Sequence, residues 1–445
     1  MGLLTFIATA TSTSTATTLP SPWMVLPFVV LLLCIALMPL FAARFWEHHY
    51  AKVAISLGLV TTAYYVFGLH HGNAILHSMM EYLSFMALIG SLFVISGGIN
   101  IRVKGEATPA INTLFLLVGG VVANLVGTTG ASMLLIRPWI RMNKYRITQF
   151  HVVFFIFIVS NVGGALTPIG DPPLFLGFLR GVPFWWVIQH VWPAWLLAMG
   201  LLLALFYILD RRNYARAPRG IAEENTSNET WQFRGLQNGA LLLVVLAAVF
   251  FPQTWKVGTE HFSLSIGSLV MVAAATISYF TTARPVHEAN DFSFGPVKEV
   301  GFLFIGIFLT MVPALQLLGS GQGLHLSTPL QYYFTSGSLS AFLDNAPTYL
   351  TFLAAAMGNA GLDVGTVGDV RAFLATHAPF VVAVSLGSVF FGAGSYIGNG
   401  PNFMVKAIAE KTGVHTPGFL GYLFGYSLLM LVPVLAFVGW VTFAR

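Results

Sequence analysis

Long apolar runs separated by short polar stretches follow one another through the chain. Most approach the roughly 20 residues that a helix needs to cross a bilayer. Plain runs fall at about 23–42, 52–69, 82–100, 184–208, 237–252, 262–281, 299–318 and 418–442. Four further apolar segments carry breaks. One at about 111–142 is broken at Gly127-Thr128-Thr129-Gly130, and one at about 330–358 is broken at Asp344-Asn345-Ala346-Pro347-Thr348. Two more, at about 149–180 and 373–409, are too long for one plain crossing and are interrupted at 161–173 and 392–402. Gly, Pro, Asn and Asp in such runs stop a regular helix, and in lipid the freed backbone groups need partners from protein, water or ions.

The order of elements repeats. Three spans, a broken segment, a long interrupted segment and one more span occupy 23–208, and the same series occupies 237–445. The polar stretch at 209–236 reads as a cytoplasmic linker, and the Thr/Ser-rich residues 1–22 read as a disordered lead. If each broken segment is a re-entrant hairpin, each half crosses five times, and an odd number inverts the second half. The expected fold is an all-α polytopic membrane protein of two inverted repeats. It has about ten transmembrane helices with two re-entrant hairpins and two interrupted helices, an arrangement found in secondary transporters.

Composition agrees with this pattern: 56% of the 445 residues are hydrophobic and 8% are charged, against about 25% charged in a soluble domain. Charge adds orientation. With the linker inside, 17 of the 21 Lys and Arg residues fall on the inner side, leaving Arg180, Lys256, Arg371 and Arg445 outside. Full crossings by the hairpins would spoil that bias, so the positive-inside rule favours re-entrant hairpins and both termini outside. The net charge of +5 is a loop property and gives no support for nucleic-acid binding. The single cysteine, Cys34, excludes a disulfide framework.

Candidate chemistry lies in the breaks. Of the 16 acidic residues, Asp171 and Asp344 lie inside breaks, and Glu81 and Glu299 lie at the starts of equivalent spans. A carboxylate at membrane depth marks an ion or proton pathway, although Asp171 could also cap a half-helix and Asp344 could belong to a plain turn. Aligning the breaks sets Asp344 against Thr128 and Asp171 against Asn399. Hard cations such as Na+ take oxygen ligands. The first half offers Thr128, Thr129, Ser132, Asn161, Thr167 and Asp171; the second offers Asp344, Asn345, Thr348, Ser395, Asn399 and Asn402. Ser and Thr in such helices equally bond their own turn. Glu81 and Glu299 read as interfacial helix charges or as coupling groups. His70, His71 and His77 cluster without metal-ligand spacing and read as solvated. No Walker A loop, dinucleotide loop or nucleophile elbow occurs.

Ser160-Asn161-Val-Gly-Gly-Ala-Leu-Thr-Pro-Ile-Gly-Asp-Pro-Pro173, with Asp344-Asn345-Ala-Pro-Thr348 and Ile397-Gly-Asn399, resembles the ion transporter superfamily. The likeness is greatest to the NhaD-type sodium/proton antiporters and the citrate transporter (CitMHS-like) family. It implies a scaffold part, a moving transport part, cation sites between hairpin and interrupted helix, and a place in the bacterial inner membrane. Leu174 departs from the Asn that many antiporters have after the double proline, and the Ser-Asn-Thr triplets of dicarboxylate carriers are absent.

Three functions compete. The first is Na+(Li+)/H+ antiport, with Asp171 and Asp344 alternately holding proton and cation. The second is cation-coupled symport of citrate or a related carboxylate. The third, a membrane-embedded enzyme or receptor, has no nucleophile and base pair behind it. No cofactor is expected beyond Na+ or Li+ and H+ as transported ions. The partners are lipid, small ions and, on the second reading, citrate, with a homodimer as a possible assembly.

Overall fold

The structure, a computed structural model, describes residues 19–103, 108–216, 232–252, 254–259, 263–321 and 324–444. Most of the expected lead and the middle of the expected linker lie outside those residues. The rest is an all-α polytopic membrane protein. Among the described residues eight helices are long and apolar enough to cross a membrane, or nine if one bent pair counts as a span.

The first half runs α1 (Leu26–Phe41), α2 (Ala43–Ala63), α3 (Gly72–Gly97), α4 (Pro109–Met142), α5 (Gln149–Ile158), α6 (Pro172–Leu179) and α7 (Phe184–Arg216). In the second half come α8 (Gln237–Val249), α9 (Ile266–Thr281), α10 (Arg284–Ala289), α11 (Gly295–Thr310) and α12 (Val312–Gly319). They are followed by α13 (Pro329–Ser340), α14 (Asn345–Asn359), α15 (Val367–Phe391), α16 (Gly400–Lys411) and α17 (Phe419–Phe443). Helix starts are written locally. The Thr108 hydroxyl accepts from the Ile111 N–H ahead of Pro109, and Thr328 with Gln331 forms a capping box around Pro329.

α4 folds back on itself. Gly127, at φ 76° and ψ 154°, turns the chain in a conformation that favours glycine. Asn112 and Asn143, about 46 Å apart along a straight helix, exchange side-chain hydrogen bonds of 2.7 and 3.1 Å. α13 and α14 fold back likewise: the Asn359 amide donates to the Tyr332 hydroxyl and to the Leu324 carbonyl, each at 3.0 Å.

Several boundaries differ from the hydropathy reading. The span expected at 82–100 begins at Gly72, because its early polar residues are satisfied inside the protein: Ser78 donates to the Phe308 carbonyl at 2.5 Å and Glu81 meets Arg180. Glu81 is therefore not at a helix start. His77, expected in a loop, is on α3, 3.4 Å from Glu81. α7 continues through Arg216 into the expected linker and carries Asp210 into the interior, fully buried. The spans expected at 237–252 and 262–281 are helices of 13 and 16 residues. A two-stranded ribbon, β3 (Lys256–Gly258) with β4 (Ser263–Ser265), lies between them. A second ribbon joins β1 (Asn100–Arg102) to β2 (Gln232–Arg234). The span expected at 299–318 is bent by 41° between α11 and α12, just before Pro313.

The helices pack as two groups. α1, α2, α3, α8, α9, α11 and α12 form one; α4 to α7 and α13 to α17 form the other. They meet chiefly where α3 lies on α4 and where α12 lies on α14. Within the second group α6 packs on α14 and α16 on α4, so each half-helix that leaves a break lies against the hairpin of the other half.

Candidate functional site

Two loops of matching shape meet in the second group. In the first, the Thr128 N–H donates to the Gly170 carbonyl at 2.7 Å and the Thr167 hydroxyl donates to the Asn124 carbonyl. In the second, the Asn345 N–H donates to the Gly398 carbonyl at 3.2 Å and the Ser395 hydroxyl donates to the Ala341 carbonyl. These pairs match Thr128 with Asn345 and Asn124 with Ala341. The expected match of Thr128 with Asp344 is thus off by one position, and Asp344 falls opposite Gly127. In that register Gly127-Thr128-Thr129-Gly130 lies against Asp344-Asn345-Ala346-Pro347, so no residue type recurs at a matching position from which sequence could fix it. The match of Asp171 with Asn399 needs no such shift.

Close backbone approach makes the loops possible. A Cβ on Gly164 would lie 2.5 Å from the Thr128 methyl, and one on Gly392 would lie 3.0 Å from the Asn161 amide oxygen.

Asp171 is at the centre and is 1% exposed. It occupies the N-cap position of α6 but makes no side-chain cap hydrogen bond. Its carboxylate turns inward. Oδ1 accepts from the Thr128 hydroxyl at 2.5 Å and from the Asn399 amide at 2.9 Å, and Oδ2 accepts from the Asn345 amide at 2.5 Å. Hairpins and breaks of both halves therefore converge on one carboxylate. Among the described residues no basic side chain pairs with it. The Asn345 amide, with its nitrogen committed to Asp171, leaves Oδ1 buried without a hydrogen-bond partner. Such an orphan is costly unless something else occupies it.

Amides extend the network across both halves. Asn399 also donates to the Asn161 side-chain oxygen at 3.1 Å, and Asn161 donates to the Asn402 side-chain oxygen at 2.7 Å. Asn402 donates in turn to the Gly392 and Ser395 carbonyls, each at 2.8 Å. On the other side of Asp171 lies a small cavity of about 20 Å³, bounded by Thr128, Thr129, Pro168, Asp171 and, from α3, Leu88 and Leu92. That volume suits one water or one ion of similar size.

The family described as "Putative citrate transport" matches residues 16–443. The chain belongs to that family. It is also 25% identical over 301 residues to the "46 kDa membrane protein" of Mycobacterium leprae (strain TN), an alignment over 63% of this chain. This chain spans 65% of the length of that relative.

Other expected site residues of this citrate-transport family member stand apart from Asp171. Asp344 is half-buried and caps α14, accepting from the Ala346 N–H at 3.0 Å. Thr348 bonds back to the Asp344 carbonyl at 2.9 Å, which is ordinary helix back-bonding. Ser132 pairs with Ser160 at 2.7 Å, joining α4 to the first break. Thr129 reaches the cavity wall. Thr167 and Ser395 hold the loops rather than the carboxylate. Glu81 is in an ion pair with Arg180 at 2.7 Å, whereas Glu299 is exposed on α11.

Sequence reasoning missed two positions. Asn124 shapes the first break: its amide donates to the Gly163 carbonyl at 2.6 Å and its side-chain oxygen accepts from the Leu166 N–H at 2.8 Å. An asparagine one helical turn ahead of a Gly-Thr-Thr-Gly break was the available signal. Asp210 was hidden among the charges of an apparent linker. It accepts from Arg146, from Asn112 at 2.8 Å and from the His151 ring at 3.0 Å. This network clamps the base of the α4 hairpin.

Proposed function

We propose that this chain is a secondary transporter that exchanges H+ for Na+ or Li+ at Asp171. The observation that carries this reading is a buried carboxylate with three neutral donors, no basic partner among the described residues and an orphaned oxygen, Asn345 Oδ1, beside it. An unpaired buried charge is costly. A proton or a small cation removes the cost, and the two compete for one group. Asn345 Oδ1, Thr129 and the backbone carbonyls of the breaks are the oxygen ligands a hard cation takes. Asp344 on this reading is secondary, because its carboxylate is engaged at its own helix start.

The architecture fits the same cycle. We take the two halves as inverted repeats, and α4 and the α13–α14 pair as re-entrant hairpins. Support comes from the matching loop hydrogen bonds, from the Asn112–Asn143 closure and from the bias of 17 Lys and Arg to one side. Residence in a bacterial inner membrane with both termini outside follows from that reading.

The second reading is cation-coupled symport of citrate or a related carboxylate, favoured by the family description. Half-helix N-termini can hold an anion without basic side chains. Proteoliposomes with an internal pH dye separate the two. Antiport gives proton movement on addition of Na+ or Li+ with no organic anion present, and movement that occurs only with citrate rejects it. Competition also predicts that the half-saturating Na+ concentration rises with acidity, approaching about tenfold per pH unit once the carboxylate is mostly protonated.

A further inference from the structure

Two ion pairs bridge the helix groups among the described residues. Glu81 of α3 meets Arg180, the residue that ends α6, at 2.7 Å. Asp291, between α10 and α11, meets Lys411 at the end of α16. Asp291 belongs with the α3 group, because its neighbour Asn290 donates to the Gly97 and Ile99 carbonyls at the far end of α3. Glu81 lies 16 residues before Gly97, about 24 Å along the helix. Leu88 and Leu92, which bound the Asp171 cavity, lie between the two. The pairs therefore flank the cavity along one helix, each tying a half-helix that starts at the site to the other group.

Their settings differ. Glu81 and Arg180 side chains are 9% and 10% exposed, against 54% and 69% for Asp291 and Lys411. Exposed pairs hold little, whereas buried charges cannot part without new partners or water. The Lys411 ammonium holds the Asp291 carboxyl below its usual range, so that pair persists at neutral pH and loosens only as acid protonates the carboxyl.

We propose that Glu81–Arg180 is a latch that closes one side of the site by holding α6 against α3, and that it opens in every transport cycle. Asp291–Lys411 is its weaker counterpart at the other end. Opening the groove between α3 and α6 admits water to both charges at once, which lets them separate. His77, 3.4 Å from the other Glu81 oxygen, keeps the carboxylate on α3 partnered when Arg180 leaves. The latch rests on the transporter reading but not on which cargo is carried.

The test is a charge cycle in proteoliposomes, with flux driven by Na+ and separately by citrate. Glu81→Gln and Arg180→Gln should each lower the maximal rate at least about tenfold. The half-saturating concentration should change less than about twofold. The swap Glu81→Arg/Arg180→Glu should recover most of the loss, with the single variants matching wild type in detergent gel filtration. In a Cys34→Ser background, bridging Glu81→Cys to Arg180→Cys with a flexible bis-methanethiosulfonate should stop the flux that this double variant retains, and reductant should restore it to that level. Wild-type rates in the single variants, or undiminished flux after complete bridging, overturn the latch alone. A raised half-saturation with unchanged maximal rate also overturns it, because the pair would then belong to the binding site. Flux of neither cargo in the parent protein overturns the transporter reading and the latch together.

Discussion

The break at 159–171 and the break at 392–399 are built on one plan and carry different chemistry. Gly170 corresponds to Gly398, Gly164 to Gly392 and Thr167 to Ser395, each pair in the same structural role. At the position that matters most the first has Asp171 and the second has Asn399, joined by a 2.9 Å hydrogen bond. Three positions further on the first has Leu174, fully within the core, and the second has Asn402, whose amide holds the loop carbonyls. One half supplies the charge and the other supplies the amides that hold it in place. Two loops on one plan thus meet at one centre with one carboxylate, and on the proposed antiport reading that centre exchanges one monovalent cation for one proton.

The largest effect expected from disturbing this division is at Asp171. Asp171→Asn should cut cation-driven proton exchange by two orders of magnitude or more, on the scale of about 3 kcal/mol for losing one partner of a desolvated charge. Adding Asn399→Asp to that variant moves the acid to the other half and should return measurable exchange. Wild-type exchange in the single variant would remove the carboxylate from the mechanism.

The hairpin bases differ in the same sense. The first is clamped by Asp210 with Arg146 and His151, the second by the neutral Asn359 and Tyr332 pair. Asp210→Asn removes the buried charge that Arg146 and His151 share and should lower stability by about 3 kcal/mol. Asn359→Ala should cost about 1 kcal/mol. Thermal unfolding in detergent compares them, and equal losses would show that the charged clamp is no stronger. Smallest of all is Asp344→Asn. An asparagine still caps α14, so exchange should stay within about threefold of wild type; a loss as large as that of Asp171→Asn would restore a two-acid mechanism.

The breaks themselves were legible because helix-stopping residues stand out inside apolar runs. Asp171, Asn161 and Asn399 could be named from that signal alone, and the structure brings all three together. The register of the hairpin tips was not legible, since Gly127-Thr128 and Asp344-Asn345 share no chemistry and only the backbone bonds to Gly170 and Gly398 align them. Asp210 was lost for a different reason. Local hydropathy cannot see that Arg146 and His151, roughly sixty residues earlier, accompany it into the interior. Arg180 likewise reads as a loop charge until α3 is seen beside it.

The chain of amides from Asn399 through Asn161 to Asn402 bears on how a proton can travel. Carboxamides donate and accept hydrogen bonds but do not give up or take on protons at neutral pH. These three amides therefore form no proton relay of their own beside Asp171. The cavity beside Thr129 is the space next to the carboxylate that suits one water or one ion. On the proposed exchange reading, proton and cation share a single doorway as well as a single carboxylate, and neither can slip past while the other is in place.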